Sequence, residues 1–164
     1  MNRRSAIFLD RDGVINRERG EHTCRLADFE ILPTVVQAVK AIGMAGKCTV
    51  VITNQSGIGL GLYSHADVDE MHRYLHAQLA QQGSAIDAVY YCPHHPSQGK
   101  CLCRKPGSLL LERAIARYTI DPASSVMIGD RDRDMEAAAG AGVRGIRVEA
   151  NAPLLDVLIE NGLV

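Results

Sequence analysis

Five short apolar runs recur along the chain, each closed by small or polar turn residues: Ala6–Asp10, Cys48–Thr53, Ala85–Tyr91, Val126–Asp130 and Gly145–Val148. Their side chains are near-continuously apolar instead of alternating, the pattern of strands buried on both faces, and each run is too short for a helix. Between them the period lengthens. Thr34–Ala45 sets Val35, Val36, Val39 and Ile42 at helical spacing, with Gly46 placed to end the helix. Ser64 followed by Asp67 resembles a capping box and opens a predicted helix to about Gln82. Further helices are predicted from about Pro106 to Tyr118, from Asp132 to Gly140 and from about Pro153 to Glu160, with Asp121-Pro122 as a break.

Strand–helix alternation at this spacing predicts an α/β fold: a Rossmann-like, doubly wound parallel sheet with helices on both faces. No repeat, low-complexity stretch or linker divides the chain, so its 164 residues are read as one domain, 1–164. The stretches 16–33 and 92–104 are too short for a separate cap domain, which predicts an open active site. Residues 92–105 form the one long connection of unusual composition.

Charge and composition narrow the chemistry. Eighteen Lys and Arg against 19 Asp and Glu give a net charge of −1, and aromatics make up only 4%. That supplies neither a basic stripe nor stacking platforms for nucleic acid. No apolar run approaches the roughly 18–20 residues of a membrane span. The segment before Asp10 is too short in apolar residues for a signal peptide. A cytoplasmic protein without membrane or nucleic-acid partners, and a monomer, is expected. Five cysteines, three of them between residues 92 and 103, do not form a secreted disulfide framework. Cys92, His94, Cys101 and Cys103 instead make a Cys₃His set, the donors of a closed structural Zn²⁺ site. His95 is the adjacent competitor, and the Cys-x-His spacing favours His94.

The ends of the predicted strands carry the reactive groups. Strand one ends in Asp10-Arg11-Asp12-Gly13, strand two in Thr53-Asn54-Gln55-Ser56-Gly57, and strand four in Gly129-Asp130 with Asp134 close behind; Arg104-Lys105-Pro106 precedes a helix. In parallel sheets these carboxyl ends are where ligands bind. A carboxylate attacking a phosphate monoester meets like-charge repulsion of about 4 kcal/mol per pair near 4 Å at an effective dielectric of 20. Mg²⁺ held by Asp10 and Asp130, with Lys105, would offset it. Asp10 is then the candidate nucleophile, Asp12 the acid and base, and Thr53 a donor to the phosphoryl group.

This order of motifs resembles the four loops of haloacid-dehalogenase (HAD) superfamily phosphatases. The zinc loop narrows the resemblance to the branch of heptose 1,7-bisphosphate and histidinol-phosphate phosphatases. Asp10–Asn16, Asn54–Gly61 and Tyr90–Pro96 favour the heptose side. The resemblance implies a Mg²⁺-dependent phosphatase acting on a phosphorylated sugar, at the C7 phosphate of the bisphosphate, through an aspartyl-phosphate. By that match Mg²⁺ is held by Asp10, Asp12 (through its backbone carbonyl) and Asp130, with Asp134 in support. Substrate is met by Arg11, Glu18, Arg19, Gly20, Glu21, Asn54, Gln55, Ser56, Arg104 and Arg131, the last standing where Lys is common. Histidinol phosphate is the alternative substrate, and a zinc-stabilised nucleic-acid-binding module the alternative of another class.

Other features are read as structural. His65, His72 and His76 are expected on a solvated helix face, and Met71 and Met135 in helix packing. Gly57, Gly59 and Gly61 lack dinucleotide-fingerprint spacing. His22 and Cys24 lie in the first loop and are candidates for touching substrate.

Overall fold

A computed structural model describes residues 3–164. Its five strands are β1 (Ala6–Leu9), β2 (Cys48–Asn54), β3 (Ala88–Cys92), β4 (Val126–Gly129) and β5 (Arg144–Arg147). The helices are α1 (Val35–Met44), α2 (His65–Gln81), α3 (Leu109–Tyr118), α4 (Asp132–Gly140) and α5 (Leu154–Glu160). All strand pairs are parallel, in the order β3-β2-β1-β4-β5. Ala6 lies opposite Cys48 on one side of β1, and Ile7 opposite Val126 on the other.

Alternation along the strands sorts the core into two layers. Ile7, Leu9, Val51 and Ile128 point to one face and pack with α1, α2 and α5. Ala6, Phe8, Val50, Ile52 and Met127 point to the other and pack with α3 and α4. Helices on both faces explain the apolar reading of β1, β2 and β4. Burial on both faces was expected of all five strands, but β3 is only half-buried and β5 is largely exposed at Arg144, Gly145 and Arg147. Both are edge strands, with one neighbour each.

Two boundaries differ from the sequence reading by more than one residue, for local reasons. β3 begins at Ala88, not Ala85, because Asp87 takes the preceding ladder position: its carboxylate accepts from Thr49 N–H at 2.8 Å and its own N–H donates to Thr49 O at 2.9 Å. α3 begins at Leu109, not near Pro106. Gly107 is pressed against the preceding loop, where a Cβ would stand 2.7 Å from Leu102 O and 2.9 Å from Arg104 O. The capping box of α2 forms as read, with Asp67 N–H donating to Ser64 Oγ and Ser64 N–H to the Asp67 carboxylate. Gly46 follows α1 at φ +71°, a left-handed turn that suits glycine.

The chain lays down β1, β2 and β3 outward on one side, then returns to place β4 and β5 on the other. The reversal falls between β1 and β4, where doubly wound sheets open a crevice at their carboxyl ends. Asp10 and Asp130 follow directly on these two strands. The two limbs of the first loop are tied to each other by Asn16 bridging to Ile31. Among the described residues no helix is long and apolar enough to cross a membrane.

Gly129 sets the approach of α4 to β4, because a Cβ there would overlap the Asp134 side chain. Gly129→Ala is expected to destabilise the fold by about 1–3 kcal/mol, the range for overpacking a tight site. A urea titration against the unsubstituted chain measures it.

Candidate active site

The centre of the site is a buried cation between two carboxylates. Lys105, only 1% exposed, places Nζ 2.8 Å from Asp10 Oδ1 and 2.7 Å from Asp134 Oδ1, and donates to Ile52 O at 2.7 Å. Asn54 fixes the lysine's backbone: its amide nitrogen donates to Lys105 O at 3.1 Å, and its amide oxygen accepts from Lys105 N–H at 3.0 Å. Asp10 Oδ1 also accepts from Arg11 N–H at 2.8 Å. Burial would push the Lys105 ammonium down, but Asp10 and Asp134 outweigh it and hold it above its ordinary value. Burial, with the Asp134 and Asp12 charges, pushes Asp10 up to about 7 against the pull of Lys105.

Oxygens of Asp10, Asp130 and Asp134 lie within 4.8 Å of one another. Asp130 Oδ2 is buried with no hydrogen-bond partner, only Arg131 Nε at 3.5 Å. Burial holds the Asp130 carboxyl above its usual value. Gly13, at φ +88°, leaves this oxygen room: a Cβ would come within 2.6 Å of it. An orphaned buried carboxylate beside two others fits a hard divalent cation. The Asp12 carboxylate lies outside this group, in keeping with the expectation that Asp12 would meet a metal only through its backbone carbonyl. It accepts from Arg11 Nη2 at 3.0 Å, Asn16 Nδ2 at 2.9 Å and Gln55 Nε2 at 3.0 Å. Burial opposes these contacts, but they hold its carboxyl below the usual range.

Thr53 is buried at the end of β2, where its hydroxyl accepts from Gln55 Nε2 at 2.9 Å; Tyr63 donates to Gln55 Oε1 at 2.7 Å. A cleft of about 300 Å³ opens from Asp12 outward. Glu18, Gly20 and Glu21 from the first loop line it, with Asn54, Gln55, Ser56, Arg104 and Arg131. His22, Thr23, Tyr63 and Arg133 also line it. His22 was an open candidate; Thr23, Tyr63 and Arg133 were not anticipated, since a lone Thr, a lone Tyr and an Arg inside a helix start carry no motif.

Two expected substrate contacts are placed elsewhere. The Arg11 side chain is fully buried and turned inward to Asp12, because its guanidinium is needed to balance that carboxylate. Arg19 is paired with Glu21 at 2.9 Å and Asp28 at 3.0 Å, which holds it beside the cleft and not on its wall. His72, expected on a solvated face, is buried.

The four atoms of the cysteine–histidine cluster converge. Cys103 Sγ lies 3.0 Å from Cys92 Sγ and 3.3 Å from His94 Nδ1, and Cys101 Sγ lies 3.6 Å from Cys92 Sγ. A tetrahedron with metal–sulfur bonds near 2.3 Å has sulfur–sulfur edges of about 3.8 Å. The Cys101 edges, 3.6 Å to Cys92 and 3.9 Å to Cys103, match it, the Cys92–Cys103 edge is shorter, and three thiols with an imidazole are the donor types zinc takes. His95 turns back to Ser97, with Nδ1 2.7 Å from its hydroxyl.

A parallel sheet with carboxylates, a lysine and a hydroxyl at its strand ends is the architecture of HAD-like hydrolases, and a family model described as HAD-hydrolase-like matches residues 102–152. The D-glycero-beta-D-manno-heptose-1,7-bisphosphate 7-phosphatase of Haemophilus influenzae is 39% identical over 145 residues, covering 85% of this chain and 78% of its own. The Escherichia coli K12 enzyme of the same name is 40% identical over 145 residues, covering 84% and 75%. The crystal structure of D,D-heptose 1,7-bisphosphate phosphatase from B. bronchiseptica, complexed with magnesium and phosphate, superposes with a TM-score of 0.82 at 31% identity over 96% of this chain and 99% of that one. The chain therefore belongs to the heptose-1,7-bisphosphate 7-phosphatase family of HAD-like phosphatases.

Asp10 binds protons more tightly in the fold than in an unfolded chain, where its value is near 3.8. Its contribution to metal-free stability therefore falls as pH rises from about 4 through 7. In the presence of a chelator, the melting temperature of Asp10→Asn relative to the unsubstituted chain is expected to rise from pH 5 to pH 8, on top of the pH-independent effect of changing the partner of Lys105. Thermal denaturation at both pH values checks it.

Proposed function

We propose that this chain is a phosphatase that removes the C7 phosphate from D-glycero-D-manno-heptose 1,7-bisphosphate. Its role would lie in the cytoplasmic synthesis of activated heptose for lipopolysaccharide or capsule. The observation that carries the reading is Lys105 between Asp10 and Asp134, beside the unpartnered Asp130 oxygen, at the foot of a cleft walled by Arg104, Arg131 and Arg133. A phosphate ester needs a cation such as Lys105 at its reacting end, and a second phosphate needs the arginines.

Asp10, Asp130 and the Asp12 backbone carbonyl would hold Mg²⁺, which when bound neutralises charge between the Asp10 carboxylate and the phosphate dianion. The other steps belong to the chain. Asp10 attacks phosphorus: an Asp10 O–P bond forms, the P–O bond to C7 breaks, and the alkoxide takes a proton from Asp12. Arg11, Asn16 and Gln55 favour the charged form of Asp12, and an arriving phosphate dianion favours the protonated form by repulsion. With the sugar gone, Asp12 takes a proton from water, which attacks phosphorus, releases inorganic phosphate and restores Asp10. Lys105 and the Thr53 hydroxyl hold the transferring phosphoryl group. Asp134 keeps Lys105 charged and in place.

Arg104 and Arg131 are read as contacts to the phosphate that is not transferred, each able to offer a planar fork to it. Glu18, Gly20, Glu21 and Ser56 line the sugar. The Cys92, His94, Cys101 and Cys103 cluster would hold zinc and fix the loop that delivers Arg104 and Lys105. The described residues are read as one domain whose short loops take the place of a cap.

Steady-state turnover of the heptose bisphosphate and of histidinol phosphate tests the reading. The bisphosphate is expected to be strongly preferred, and preference for histidinol phosphate would overturn the assignment. Asp10→Asn should cut turnover by about 10⁴-fold or more. Arg104→Ala should raise KM for the bisphosphate by about tenfold or more, as expected on losing a charge-assisted contact. Metal analysis should find one zinc per chain, and stripping it should lower the melting temperature.

A further inference from the structure

Helix α2 contributes one polar group to the underside of the site. His72 is buried, and its Nε2 lies 3.4 Å from Arg11 Nη1. The same guanidinium donates through Nη2 to Asp12 Oδ1 at 3.0 Å and stands 5.4 Å over the centre of the Phe29 ring. The Tyr91 ring packs edge-on against His72 with centroids 6.1 Å apart. Arg11 is fully enclosed and its Nε has no hydrogen-bond partner. Its placement therefore rests on three supports: Asp12, Phe29 and His72.

The imidazole can only accept here, because the group facing it is a permanent cation. Burial, with Arg11 and His76 close by, pushes His72 down to about 3, so the ring is neutral and its Nε2 lone pair is free for Arg11. A guanidinium is a rigid plane, and fixing both terminal nitrogens and one face fixes the whole group. Without a partner on Nη1, the long arginine side chain regains rotamer freedom and its hold on Asp12 loosens.

We propose that His72 is a positioning residue for proton transfer: by accepting from Arg11 Nη1 it fixes the guanidinium that sets the Asp12 carboxyl toward the leaving oxygen. The inference rests on the acid role proposed above for Asp12. A group that acts through the acid matters only when the leaving group needs a proton. An alkoxide of a sugar needs one; 4-nitrophenolate departs without it. Because kcat/KM covers events only to the departure of the first product, the two esters separate this role from later steps.

For His72→Leu, kcat/KM on the sugar phosphate is expected to fall about tenfold, part of the 10²–10⁴-fold worth of a general acid, and on 4-nitrophenyl phosphate by less than about twofold. His72→Gln, whose amide oxygen can accept from Nη1, should restore the sugar ester to within about threefold. Phe29→Leu, which removes the stacking face under Arg11, should share the ester selectivity of His72→Leu and keeps the test available if the leucine variant folds poorly. Equal losses on both esters, or no loss on the sugar ester, overturn the inference. Asp12→Asn is measured alongside. If it spares neither ester, the acid role of Asp12 falls and takes this inference with it. If Asp12→Asn is ester-selective while His72→Leu is not, only the role of His72 is lost.

Discussion

A buried ammonium shared by two carboxylates is the constraint around which the site is organised. Lys105 satisfies Asp10 and Asp134 at once and caps the carbonyl of Ile52, so three separate chain segments meet at one nitrogen. Ion pairs removed from water this completely contribute little net stability, since desolvation consumes much of the Coulomb gain. Breaking one is far more costly than having none. The cluster is therefore better understood as a positional lock than as a source of stability. Asp10 bears the residual strain, its carboxyl raised to about 7 by burial.

Around that lock the polar groups are nested. Asn54 grips the backbone on either side of the Lys105 peptide, Gln55 joins Asp12 to Thr53, and Tyr63 holds Gln55 from behind. Each amide uses both its donor and its acceptor, so these side chains cannot rotate without leaving a buried group unmatched. The residues that handle phosphate in the proposed reaction thus arrive already oriented, and little reorganisation remains for the moment of reaction.

Much of this architecture was legible in the sequence. Apolar runs such as Phe8-Leu9 and Val50-Val51-Ile52 declare central strands, because a strand covered on both faces has no position for a polar side chain. The strand-end motifs placed Asp10, Asp12, Thr53, Lys105 and Asp130 together because parallel strands bring their carboxyl ends to one edge. Side-chain direction was harder to read. Arg11 sits between two acidic residues in sequence, and nothing there says whether it points to solvent or inward. His72 occupies a helix whose mixed composition hides which face meets the core. Arg19 is drawn off the cleft wall by Glu21 and Asp28, a pairing that depends on how the first loop folds.

The strand order also governs how the chain can be assembled. β1 is the first strand of the chain and the middle of the finished sheet, yet one of its hydrogen-bonding flanks is matched by Val126–Ile128, made more than a hundred residues later. Until that segment emerges from synthesis, Ala6-Ile7-Phe8-Leu9 presents a bare apolar flank, the kind of template on which a neighbouring chain can add a strand. The nascent protein is thus most vulnerable to self-association when β1, β2 and β3 are complete and β4 is not.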